Sequence, residues 1–70
     1  MHTHRYRIIV AGGLSETGRE AFSDFRIEAN GRNTALVRDL DQGALYGTLN
    51  RILSLGFELI ELRRLTESAN

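Results

Sequence analysis

The sequence predicts an α+β domain with the element order β-α-β-β-α-β. Three observations predict it. Residues 41–56 carry the apolar periodicity of one amphipathic helix, residues 5–11 and 57–65 read as strands near the two ends of the chain, and Asn30-Gly31 marks a hairpin near its middle. This order is the ferredoxin-like plan, in which right-handed crossovers lay two helices on one face of a four-stranded antiparallel sheet. A single domain over residues 5–65 is expected, with flexible tails at 1–4 and 66–70.

The helix is the firmest element. Leu45, Leu49, Ile52 and Leu53 recur at the i, i+4, i+7, i+8 spacing of one helical face. Asp41 suits the N-cap, because its carboxylate accepts from backbone N–H groups of the first turn and its charge complements the helix dipole. Gly56 follows the last apolar residue, where a left-handed residue closes a helix. Gly43 and Gly47 weaken it by about 1 kcal/mol each relative to alanine, so its stability depends on packing against a sheet.

The strands follow from alternation. Arg5 to Ala11 is rich in β-branched residues and predicts the first strand, with Tyr6, Ile8 and Val10 on one face and Arg7, Ile9 and Ala11 on the other. Ser15 to about Ser23 predicts a short helix capped by Ser15 or Thr17, the latter matching a capping box with Glu20. Phe25 to Ala29 alternates as a second strand with Phe25, Ile27 and Ala29 inward. Asn30-Gly31 predicts a type I′ turn with both residues at positive φ. Arg32 to Leu40 is the third strand, apolar on both faces, and Phe57 to Leu65 the last. About twelve residues are close to the minimum for the first crossover, and the alternative is a β-meander with a single helix.

The chain has 70 residues, 41% of them apolar, with no cysteine and no proline. A core of this size is marginal by itself, and without disulfides the remaining supplement is oligomerisation. No apolar run approaches the roughly 20 residues of a membrane span, and no signal peptide is visible, so a cytoplasmic location is expected. Nine basic and nine acidic residues cancel. That balance disfavours bulk nucleic acid or an anionic membrane as partner. Tyr6 is the only aromatic expected on the two central strands, too few for base stacking of the kind such sheets use on RNA.

No chemistry-bearing motif is complete. Gly13-x-x-x-x-Gly18 stands between a strand and a helix as a phosphate loop would, but Arg19 and Glu20 follow where Lys and Ser or Thr are required. His2 and His4 would point to one side of a strand, yet a metal site needs further ligands and none has matching spacing. Asp39 and Asp41 stand two apart, but Asp41 is explained as a cap, and Glu58 and Glu61 have unlike parity. No catalytic residue, metal ligand or cofactor is expected.

The segment carrying Asp41, Gln42, Leu45, Gly47, Leu49, Arg51, Ile52, Leu55 and Gly56, with the opening Tyr6-Arg7-Ile8, Gly12 and Leu14-Ser15, resembles a group of short uncharacterised actinobacterial proteins of about this length. The resemblance covers most of the chain. It implies a compact domain and brings no activity or site residues. The element order is also similar to that of ACT-type ligand-binding domains. That resemblance implies a regulatory module taking a small ligand at a subunit interface near the end of the first strand, here Gly12, Gly13, Leu14 and Ser15. The leading expectation is therefore a small binding or protein-interaction module. The alternative is a small dimeric enzyme with a pocket between sheet and helices.

A homodimer through the open sheet face is expected. With Tyr6, Ile8 and Val10 toward the helices, the open face receives Ile9 and Ala11. It also receives either Ala35 and Val37 or Leu36 and Leu40 from the third strand. The last strand adds either Phe57 and Leu59 or Ile60 and Leu62. In any phase several apolar side chains would remain exposed as one patch.

Overall fold

The computed structural model describes residues 2–65. Its elements are β1 (His4–Val10), α1 (Glu16–Ala21), β2 (Arg26–Asn30), β3 (Asn33–Leu40), α2 (Gln42–Ser54) and β4 (Leu59–Arg64). The sheet runs β2-β3-β1-β4 with every neighbour antiparallel, which is the expected ferredoxin-like βαββαβ arrangement. The meander alternative is excluded by the position of β1 between β3 and β4. The expected C-terminal tail, residues 66–70, lies outside the described residues.

The caps explain where α2 begins and ends. Asp41 Oδ1 accepts from the Ala44 N–H at 2.7 Å. At the other end Gly56, at φ +85°, donates to Leu53 O at 3.1 Å, and Phe57 donates to Ile52 O at 3.1 Å. This pair of bonds is a Schellman closure, and it brings Phe57 back onto the core. On α1 the cap is Ser15, whose Oγ accepts from Gly18 N at 3.2 Å. Thr17 lies inside the helix, so the expected Thr17–Glu20 capping box does not form.

One core joins both helices to one face of the sheet. Ile8 and Val10 of β1 meet Leu36 and Leu40 of β3, Phe22 and Phe25 around the end of α1, and Leu45 and Ile52 of α2. Phe22 is the hub: its ring packs edgewise on Phe25 at 5.7 Å and on Phe57 at 6.2 Å. The two helices are tied by Arg51, which donates to Ala21 O at 3.0 Å and lies over the Phe22 ring. Leu53 was expected on the buried face of α2 but is 61% exposed. Thr48 is buried in the stripe instead, with its hydroxyl donating to Ala44 O at 2.8 Å. The buried face is centred between Leu45 and Ile52, and Leu53 lies on the flank beyond it.

The hairpin differs from expectation by one residue. Asn30 stays in β2 and pairs with Asn33, so the loop is Gly31-Arg32. Gly31 has φ +62°, and no residue other than glycine has positive φ among the described residues. Positive φ at the first loop position alone is the type II′ signature, not type I′. The physical reason is cross-strand pairing. The observed register sets Ile27 opposite Leu36, whereas an Asn30-Gly31 loop would set Ile27 opposite Thr34.

Strand β4 fits neither expected phase. Ile9 pairs with Glu61 but Val10 pairs with Leu59, leaving Ile60 as an extra residue in a β-bulge. Leu62, opposite Ile8, and Leu59, opposite Val10, therefore both take the helix side despite their unlike parity. Phe57 precedes the strand.

The open face is not the apolar patch expected. It carries Arg26 and Glu28 of β2, Ala35, Val37 and Asp39 of β3, Arg5, Arg7 and Ile9 of β1, and Glu61 and Arg63 of β4. Ion pairs tile it: Arg26–Glu28 at 2.7 Å, Arg5–Asp39 at 2.9 Å and Arg63–Glu61 at 3.6 Å. Beneath such neighbours Ile9 and Ala35 are already buried, at 6% and 1% exposure. The stems of long charged side chains cover apolar surface in this way.

Candidate functional site

The expected site, Gly12 to Ser15, is a loop held by its surroundings. Gly12 N donates to Asn33 Oδ1 at 3.2 Å, and Gly12 O accepts from Thr34 Oγ1 at 2.7 Å. Ser15 caps α1, and Leu14 packs toward the core against Gly18. Gly13 and Leu14 line a hollow of about 200 Å³ that also touches Arg19 and Arg32. Gly12 and Ser15 do not line it.

A larger cleft opens at the opposite end of the sheet, between the first turn of α2 and the start of β1. Its volume is about 590 Å³. Ligand pockets of about 300–1,000 Å³ are typical for small molecules. The register explains why it forms there. His4 pairs with Leu40, the last residue of β3, and α2 begins two residues later, so the first turn of α2 must stand over the start of β1.

Three elements supply its walls. His4 and Tyr6 alternate along β1 on the helix side and meet edge to face at 6.5 Å, and His2, just before the strand, also lines the cleft. From α2 come Gln42, Leu45 and Tyr46, with Gln42 Nε2 donating to Tyr46 Oη at 3.0 Å. That bond uses Tyr46 as acceptor and leaves its own proton to donate into the cleft. Arg64 of β4, paired across from Tyr6, brings a permanent positive charge to the rim. The arrangement offers two phenol rings and a leucine for an apolar body, and imidazole, phenol and guanidinium donors for an acidic group.

Only one wall of the cleft is legible in the sequence. His2, His4 and Tyr6 were legible as alternate residues on one side, although His2 and His4 read as a tail. Gln42 and Tyr46, four apart on a helix flank, were the second signal, but nothing local says that the two meet.

Outside the cleft, Arg7 on the open face is half-buried, with its Nε enclosed. Arg5 donates to Asp39 and holds its carboxyl below the ordinary value of 3.8. Among the described residues no group of three or more His, Cys, Asp or Glu is placed to hold a metal ion, and no helix is long and apolar enough to cross a membrane. Tyr6 packs on the helix side, so the central strands present no aromatic ring on the open face.

No curated protein and no solved structure matches this chain. A family model does, over residues 5–63, from the first strand through nearly all of β4. The chain belongs to that family, described as a domain of unknown function, DUF8691.

Proposed function

We propose that this domain is a binding module for a small organic acid, taken up in the cleft between α2 and the start of β1. The observation that carries the reading is the composition of that cleft. Tyr6, Tyr46 and Leu45 supply apolar and aromatic surface, and Arg64, His4 and the Tyr46 hydroxyl converge on the same space. A few placed polar groups around an apolar body are the usual make-up of a small-molecule site. Guanidinium is the side chain best matched to a carboxylate. The site stands at the other end of the sheet from Gly12–Ser15, where the ACT-type resemblance would put it.

The test is a thermal-shift screen of amino acids, hydroxy acids, keto acids and aromatic acids. A ligand at a hundred times its Kd stabilises by about 2.7 kcal/mol. For a domain this small that raises the melting temperature by roughly 10–20 °C. Tyr46 is 57% exposed, so Tyr46→Ala should leave the fold intact and abolish the shift. A panel that gives no shift, or a shift that survives Tyr46→Ala, refutes the reading. Turnover of a stabilising compound replaces it with the enzymatic one.

A further inference from the structure

The exposed large apolar side chains among the described residues are not scattered. Tyr46, Leu53, Leu55, Ile60 and Leu62 are between 40% and 61% exposed, and all come from α2, its closing turn or β4. None comes from α1 or from β2, the other edge of the sheet. Tyr46 and Leu53 are seven residues apart on one flank of α2. Tyr46 shares the cleft with Arg64, which places that flank on the β4 side. On β4 itself Leu62 faces the helix side. Leu53 and Leu62 therefore belong to the same border of the molecule.

Among the described residues that border is also a bare strand edge. β4 pairs with β1 on one side only. Leu65 N donates to Arg5 O at 2.8 Å, and Arg63 pairs with Arg7 two residues earlier. Antiparallel ladders alternate, so the N–H and C=O groups of Leu62 and Arg64 point away from β1. An uncovered edge of this kind is a template for another strand.

The sequence on that edge matches itself. Glu61, Leu62 and Arg63 are consecutive. A two-fold axis at Leu62 sets Leu62 against Leu62 of a second copy on the helix side. On the open side it sets Glu61 against Arg63 of the second copy, and Arg63 against its Glu61. Moving the axis by one residue opposes Glu61 to its own copy, or Arg63 to its own copy, and like charges directly opposite are unfavourable. The charge pattern thus selects one register, and the occupant it fits is another molecule of this chain.

We propose that two copies of this domain join edge to edge, β4 against β4, with the two-fold axis at Leu62. The product is a continuous eight-stranded sheet with the Leu53 flanks of both α2 helices beside the axis. Such a contact is isologous, the commonest form of homodimer. The bulge at Ile60 confines the regular pairing to the segment around Leu62. Arg64 lies two residues from the axis and on the rim of the cleft, so the second copy stands at the cleft's mouth. The proposal does not depend on what the cleft binds.

The test uses two charge reversals and their mixture, read by light scattering at about 50 µM, where a stable dimer remains associated. The parent should show the mass of two chains. Glu61→Arg alone puts like charges opposite at two places in the dimer, as does Arg63→Glu alone. Each should be a monomer, with association weakened roughly 30-fold or more. Mixing the two variants makes both cross-strand pairs attractive again, and a heterodimer should form. Both positions are exposed, and each variant loses the Glu61–Arg63 pair within its own chain. Recovery in the mixture can therefore come only from pairing between chains. A monomeric parent, a single variant that stays dimeric, or a mixture that stays monomeric overturns the proposal.

Discussion

Replacing Gly31 by alanine adds one methyl group where nothing lies within 4 Å of the new Cβ. Sterically the site is open, so the whole effect must come from the backbone. Gly31 sits at φ +62°, which costs an L-residue about 1–2 kcal/mol. The alanine also narrows the unfolded ensemble, which returns about 0.4–1 kcal/mol. A net loss near 1 kcal/mol is expected, or about 4–8 °C in melting temperature. Gly47→Ala is the matched control: its Cβ also meets nothing within 4 Å, but it lies inside α2. There the same methyl group should stabilise by about 1 kcal/mol. Asn30→Thr separates the two turn types. Asn30 is in β2 without positive φ, so a β-branched residue should be tolerated to within about 0.5 kcal/mol. In a type I′ turn the same change would cost more than about 1 kcal/mol. Circular-dichroism melts at one protein concentration measure all three. A Gly31→Ala variant as stable as the parent, or an Asn30→Thr variant that loses several degrees, would refute the type II′ assignment.

Two further outcomes follow from the caps and the ion pairs. Asp41→Ala removes the acceptor for the Ala44 N–H and should destabilise by about 1 kcal/mol, while Asp41→Asn or Asp41→Ser should recover most of it in the same melts. For Asp39, the folded carboxyl is held below 3.8 by the hydrogen bond from Arg5. Its contribution is present above that value and disappears as pH falls through the lower folded value. Both side chains are more than half exposed, so the effect is small. It appears as a melting temperature that falls slightly more between pH 5 and pH 3 in the parent than in Asp39→Asn, in low salt. Equal slopes for the two proteins would show that the pair does not form in solution.

What could be read from the chain alone was what short-range chemistry decides. Asp41 and Gly56 bracket α2 because a carboxylate can accept from the first turn and a glycine can close the last. Tyr6, Ile8 and Val10 share a face because strand side chains alternate, and the βαββαβ order followed from those elements. The N-terminal cap of α1 was narrowed to two residues, of which Ser15 is used. Tertiary structure decided everything that depends on which residue stands opposite which. The Ile27–Leu36 pairing moved the hairpin to Gly31-Arg32. The extra residue Ile60 turned Leu59 and Leu62 to the same side, which no fixed period of two could predict. Leu53 became exposed because the position of the sheet, not the helical period, centres the buried stripe on Leu45 and Ile52. The cleft arose in the same way: His4 and Tyr46 are far apart in sequence, and only the pairing of His4 with Leu40 brings their walls together. Register is a property of two segments at once, and a single stretch of sequence carries only half of it.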